Sequence, residues 1–188
     1  MLRPVTVEDT PALADVFADP SVAQWWGDMD AEDLRADVVE PPADVASFAI
    51  EVQGRLIGLI QYSETTDPQY HQAGIDIAVR AEWQGRGLGT DAVRTLARHL
   101  FDDRGHHRLT IDPAVANARA IRAYERVGFR PVGIMRRYER GQDGTWHDGL
   151  LMDLLREEFL PGGGRQPTED RPDEVEDLLD HGTNDRHG

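Results

Sequence analysis

Apolar positions recur along this chain in two periods, and the switches between them mark its elements. Residues 2–7 read as an edge strand, where Pro4 is tolerated. Thr6 is placed to cap a helix running through Phe17, with Glu8 and Asp9 in its first turn. Asp30 caps a second helix over residues 31–39. Residues 47–52 and 56–62 are apolar runs separated by Gln53-Gly54-Arg55, a hairpin signal. Residues 74–79 are a further strand. The clearest helical pattern covers 88–101, where Leu88, Ala92, Val93, Leu96, Leu100 and Phe101 share one face. Gly105 stands where a C-terminal cap belongs. Residues 109–111 form a short strand. Asn117 caps a helix that ends at Val127 and is stopped by Gly128. Residues 132–138 and 146–154 close the domain as a hairpin around Gly141-Gln142-Asp143-Gly144. This order predicts an α/β protein with a mixed sheet and helices on both faces.

Composition narrows the function classes. A chain of 188 residues is one domain in size, placed here over residues 1–160. Pro161-Gly162-Gly163-Gly164 breaks the pattern, and residues 161–188 carry eight acids against three arginines. That stretch is expected to be a disordered tail, apart from an apolar patch at Val175, Leu178 and Leu179. The absence of cysteine excludes disulfides, thiolate metal sites and a thiol nucleophile. The net charge is −15, and every basic residue besides histidine is arginine. Such a balance argues against nucleic-acid binding and suits a cationic ligand, although it also serves solubility. No apolar run reaches the ~18 residues of a membrane span, and Met1-Leu2-Arg3-Pro4 lacks a signal core. A cytoplasmic protein away from membranes is expected, as a monomer or a homodimer.

The candidate chemistry begins at Gln84-Gly85-Arg86-Gly87-Leu88-Gly89-Thr90, between a strand and the longest helix. Glycines let backbone approach a ligand closely, and the free N–H groups of a helix start favour phosphate. No Gly-Lys-Ser/Thr follows, so this is not a P-loop, and the glycine spacing fits a dinucleotide fingerprint poorly. A plain tight turn is the bland alternative. The histidines at 71, 99, 106, 107 and 147 lack zinc spacing and read as surface or loop residues; no metal is expected.

A second segment follows: Asn117, Ala120, Tyr124, Glu125, Gly128 and Phe129. Together the two resemble the acyl-CoA-binding core of the Gcn5-related N-acetyltransferase (GNAT) family, over about residues 2–155. The loop matches that family's Gln/Arg-x-x-Gly-x-Gly/Ala pattern in full. Trp25-Trp26-Gly27, Ile57-Gly58-Leu59-Ile60-Gln61-Tyr62, Gly74-Ile75-Asp76 and Asp112-Pro113 bring the resemblance closest to the aminoglycoside 6'-N-acetyltransferases. The chain departs from one branch of these in its short loop 63–73, which lacks tryptophan, and in its closing hairpin.

The resemblance implies a mostly antiparallel sheet with two splayed parallel strands, and acetyl-CoA as acetyl donor. It implies a polycationic small-molecule amine as acceptor, foremost the 6'-amine of an aminoglycoside. Other primary amines of proteins, polyamines or metabolites stay open, as does a CoA-binding module without catalysis. It places coenzyme A against Ile77, Ala78, Val79, Gln84, Gly85, Arg86, Gly87, Leu88, Gly89, Thr90, Asn117, Ala120 and Tyr124. Arg119 and Arg122 are further phosphate partners or plain surface residues. Tyr124 is the expected proton donor to the leaving sulfur, or else a core aromatic. Asp76 takes the amine's proton or only holds the ammonium. Asp67 and Asp112 would bind further ammonium groups, and Gln61 the acceptor. Trp25 and Trp26 either stack on a sugar ring or plug the core.

Overall fold

The computed structural model describes residues 1–27 and 29–160, so the expected acidic tail lies outside the described residues. One seven-stranded sheet runs in the order β1-β2-β3-β4-β5-β7-β6. The strands are β1 (Leu2–Pro4), β2 (Val45–Val52), β3 (Arg55–Thr65), β4 (Gln72–Val79), β5 (Arg108–Ile111), β6 (Arg130–Arg140) and β7 (Trp146–Leu155). All neighbours are antiparallel except β4 and β5. The mixed α/β expectation is correct.

Helices cover both faces. On one, Leu13, Val16, Phe17, Val22, Leu34 and Val38 pack over Leu59 and Ala78. They come from α1 (Thr10–Phe17), α2 (Pro20–Trp26), α3 (Ala31–Leu34) and the π-helical turn Arg35–Val39 that continues α3. On the other, α4 (Leu88–Asp102) buries Val93, Leu96, Leu100 and Phe101, and α5 (Ala118–Glu125) buries Tyr124. α4 forms where the apolar stripe foretold it. Asn117 caps α5 by accepting from the Ala120 N–H at 3.1 Å.

The N-terminal third differs from the sequence reading. β1 ends at Pro4, because a 3-10 turn over Val7–Asp9 begins the next element. Asp9 is recruited there by Arg3, at 2.7 Å, and this guanidinium holds its carboxyl down at about 2. α2 was missed. It starts on Pro20 at its first position, with Asp19 accepting from the Ser21 N–H at 2.9 Å, a strong start signal for only seven residues.

The feature that makes a site is a wedge between β4 and β5. They pair only at Ala73↔Leu109 and Gly74↔Thr110. Beyond that, β4 keeps its partner β3 as far as Gly58↔Val79. The chain after β5 turns to β7 instead: Leu150 N–H donates to Pro113 O at 2.8 Å, and Val115 N–H to Asp148 O at 2.9 Å. Each strand follows a different neighbour, so the two diverge. Asp76 and Asp112 each lie two residues past the last shared pair.

His106 lies in a loop, between α4 and β5, but it is not on the surface: it is fully buried. Its Nε2 lies 3.0 Å from Glu64 Oε2, and its ring stacks on His71 with centroids 4.3 Å apart. Burial lowers its pKa, joined by the charges of His71 and Arg104, against the opposing pull of Glu64. The ring is therefore neutral at pH 7, donating from Nε2. For Glu64, burial raises the pKa, but Arg104 and His106 outweigh it and leave the carboxyl below its usual value. In the unfolded chain this histidine titrates near ~6.5. Its native value is lower, so its contribution to stability is intact above ~6.5 and drains away as pH falls below that. Denaturant melts between pH 7 and pH 5 are expected to show the loss, and a His106→Leu variant to show less of it.

Candidate active site

A cleft of about 480 Å³ opens in the wedge, a size that takes a small organic ligand. Its wall on the β4 side is Ile75, Asp76, Ile77, Ala78 and Val79, continued by Gln84, Gly85, Gly87, Gly89 and Thr90. α5 supplies Arg119, Ala120, Ala123 and Tyr124, with Asn117 before it and Arg126 after it. Asp112, Pro113 and Ala114 form the opposite wall, and α2 contributes Ser21, Val22, Trp25 and Trp26.

The glycine loop is shaped for close approach. Gly85 and Gly87 have φ of +73° and +79°, and a Cβ on either would meet nothing within 4 Å. Backbone conformation, not crowding, demands glycine there. α4 begins immediately after, with its first-turn N–H groups lacking intrahelical acceptors. A diphosphate fits this end of the cleft, and an apolar arm fits the Ile77–Val79 wall.

At the other end are the acids. Asp76 is open to solvent in the cleft but enclosed by protein on its other sides. That loss of hydration, with the nearby Asp112 charge, raises its carboxyl to about 6. Tyr124 is 9% exposed. Burial first, then Asp76 and Asp112, raise its phenol well above the ordinary value. The phenol stays protonated at neutral pH.

Several expected residues take other posts. Gln84 faces the cleft, but its Nε2 donates to Val79 O at 2.5 Å and Ser21 Oγ at 3.1 Å, bracing β4 against α2. Arg86 lies over the Trp83 ring at 5.1 Å and, like Leu88, is not among the residues lining the cleft. Asp67 sits on an exposed loop outside the cleft, where it caps a turn by accepting from Gln69 N–H at 2.8 Å. Gln61 lies beside Asp76 on the neighbouring strand without lining the cleft. Trp26 packs edge-on against Phe17 at 5.2 Å, as a core plug does, and also lines the cleft.

Tyr138 and Glu139 were not foreseen, yet both line the cleft. The β6–β7 register shifts between Met135 and Glu139, and Arg137 adopts φ +52° inside that shift. The irregularity turns two hairpin residues toward the acids. The Tyr138 hydroxyl donates to the Asp112 carboxylate, which with burial pushes the phenol up to about 12. Burial also raises Glu139 above its usual value. Arginine at Arg137 gives no sequence signal for such a bend; glycine would have.

Residues 1–130 match the family model described as an acetyltransferase (GNAT) domain. The chain belongs to the GNAT acetyltransferase family. An aminoglycoside N(6')-acetyltransferase type 1 from Klebsiella pneumoniae is 32% identical over 151 residues, covering 70% of this chain and 74% of that one. The ribosomal protein uS5-alanine N-acetyltransferase of Escherichia coli is 26% identical over 107 residues, 57% of this chain and 55% of that one. Among solved structures, the aminoglycoside acetyltransferase AAC(6')-Ib in complex with coenzyme A superposes with a TM-score of 0.68 at 28% identity. That match covers 84% of this chain and 95% of the other. This GNAT enzyme is an acetyl-CoA-dependent N-acetyltransferase, and the glycine loop and apolar wall fit that cofactor. No helix among the described residues is long and apolar enough to cross a membrane.

Proposed function

We propose that this acetyltransferase modifies a primary amine of a polycationic small molecule, foremost the 6'-amine of an aminoglycoside. The observation that carries this reading is the grouping of Asp76, Asp112 and Glu139 around one cleft beside Tyr124. Three carboxylates suit an acceptor with several ammonium groups, since charge-assisted hydrogen bonds are the strong ones. The resemblance to aminoglycoside acetyltransferases supports it.

Bound acetyl-CoA supplies an activated acetyl thioester. The amides of Gly85–Thr90 would hold its diphosphate and the Ile77–Val79 wall its arm. Asp76 accepts a proton at its carboxylate from the acceptor's ammonium, freeing the nitrogen lone pair for direct attack. The Tyr124 hydroxyl gives its proton to the departing thiolate and regains one from the acylated nitrogen, which sheds its second proton as the amide forms. Asp112, held by Tyr138, and Glu139 bind the other ammonium groups. Neutralising one amine would weaken an antibiotic's grip on RNA phosphates, so resistance is the proposed consequence.

Asp76 must be ionised to act, and its raised pKa of about 6 puts that transition in reach. The value of kcat/KM is expected to hold above pH 7 and to fall about tenfold per unit well below pH 6. A flat profile down to pH 5 contradicts a role for Asp76 as base.

The likeness to a ribosomal-protein alanine acetyltransferase favours a second reading, a protein N-terminus as acceptor. Release of free thiol from acetyl-CoA, followed with kanamycin, spermine and an alanine-terminated peptide, separates the two. Turnover confined to the peptide overturns the small-molecule acceptor.

A further inference from the structure

Two polar atoms inside the protein lack a partner next to Asp76. Ser47 on β2 is 8% exposed, and its Oγ makes no hydrogen bond among the described residues. Gln61 on β3 buries its Oε1, also without a partner. The register makes them neighbours: Ser47 is opposite Gln61, and Gln61 is opposite Asp76. Residues directly opposite on antiparallel strands project from the same face, with Cβ atoms ~5 Å apart. The three side chains thus form one polar row across β2, β3 and β4. The adjacent row on that face, Ala49, Leu59 and Ala78, is apolar and buried. A buried hydroxyl with nothing to bond is unfavourable, and alanine would fill the place without that penalty.

The unpaired groups are complementary. A hydroxyl donates, an amide oxygen accepts, and an ionised carboxylate only accepts. An amide next to Asp76 is therefore best turned with its nitrogen toward the carboxylate, which leaves Oε1 toward Ser47. We propose that Ser47 and Gln61 are positioning residues for Asp76. The Ser47 hydroxyl donates to Gln61 Oε1, directly or through one water, and the amide so oriented donates from Nε2 to the Asp76 carboxylate. This rests on the reading of Asp76 as the group that meets the acceptor amine, and adds what tunes it. An N–H donor favours the ionised form and opposes the effect of burial. Without Ser47 the amide is free to turn its oxygen to Asp76, which favours the protonated form.

Asp112 after β5, Tyr124 from α5 and Tyr138 from β6 act on Asp76 electrostatically, and Arg119 and Glu139 line the same cleft. Ser47→Ala alters none of them. The test is a ¹³C-carboxyl NMR titration of the full chain, with the Asp76 signal assigned by its loss in Asp76→Asn. Ser47→Ala is expected to move the Asp76 midpoint up by about one pH unit. Ser47→Thr, which keeps the hydroxyl, should leave it in place. Gln61→Leu should repeat the upward move, and guards against a Ser47→Ala protein that fails to fold. In turnover, Ser47→Ala should lose about tenfold in kcat/KM at pH 5.5 and recover by pH 8.5, a rescue that a purely structural defect would not show. Midpoints that coincide in wild type, Ser47→Ala and Gln61→Leu overturn the proposal. The titration needs no acceptor, so it stands apart from the function: full turnover by Asp76→Asn would sink the catalytic reading and leave the row testable.

Discussion

A Tyr124→Phe variant is expected to lose about 10²–10⁴-fold in kcat, with affinity for coenzyme A changed by no more than about twofold. The phenol is buried and held protonated, with the acids of the cleft beside it. Phenylalanine removes only the hydroxyl. Its ring would keep the edge contact that Tyr124 makes with Phe129, centroids 6.3 Å apart, so the fold has no reason to change. Thiol-release kinetics and calorimetric titration of coenzyme A measure the two quantities separately. An unchanged kcat would place the proton donor elsewhere, while loss of coenzyme binding in step with rate would make the residue a packing element.

The second large effect is expected at Gly58, on β3 opposite the end of β4. A Cβ there would stand 2.2 Å from the Ala78 carbonyl oxygen and 3.1 Å from the Val79 Cα. Both are backbone atoms that no rotamer can move. Gly58→Ala must therefore push β3 from β4 at the end of β4 that lines the cleft, losing about 3 kcal/mol of stability or more. Affinity for coenzyme A should fall with it, because Ala78 and Val79 form the cleft wall. Gly133→Ala is the control, since a Cβ at that position meets nothing within 4 Å and φ is not positive. Denaturant unfolding of the two variants checks the contrast. Equal stability would mean that the strand pair yields more readily than its register suggests.

Local pattern was legible in the sequence and partner choice at a distance was not. Tyr124 stood out through its match to the family's helix motif, whereas the glycine loop stood out because it opens an amphipathic helix, where local pattern dictates local geometry. The cap at Asn117 and the stripe of α4 were legible for the same reason. The wedge was legible only through the family resemblance, which implies two splayed parallel strands; no single segment writes it. It arises because β4 and the chain after β5 choose different partners, a decision made by residues distant in sequence. The fate of Gln84 and Arg86 was hidden likewise, since a polar side chain in a phosphate-like motif carries no sign that Val79 or Trp83 will claim it. Tyr138 and Glu139 enter the cleft through a register shift that no glycine announces. The loop position of His106 was legible but its burial was not, because a histidine pair in a polar stretch gives no hint of a buried neighbour such as Glu64.

The stack of His106 on His71 has a consequence beyond its acid sensitivity. Glu64 and His71 lie at the two ends of the β3–β4 connection, and one buried ring touches both. The exposed stretch from residue 66 to 70 thus departs from, and returns to, anchored points. Its length and composition are free to drift over generations without unravelling the strands it joins. A lineage could diversify this loop while inheriting the anchorage intact.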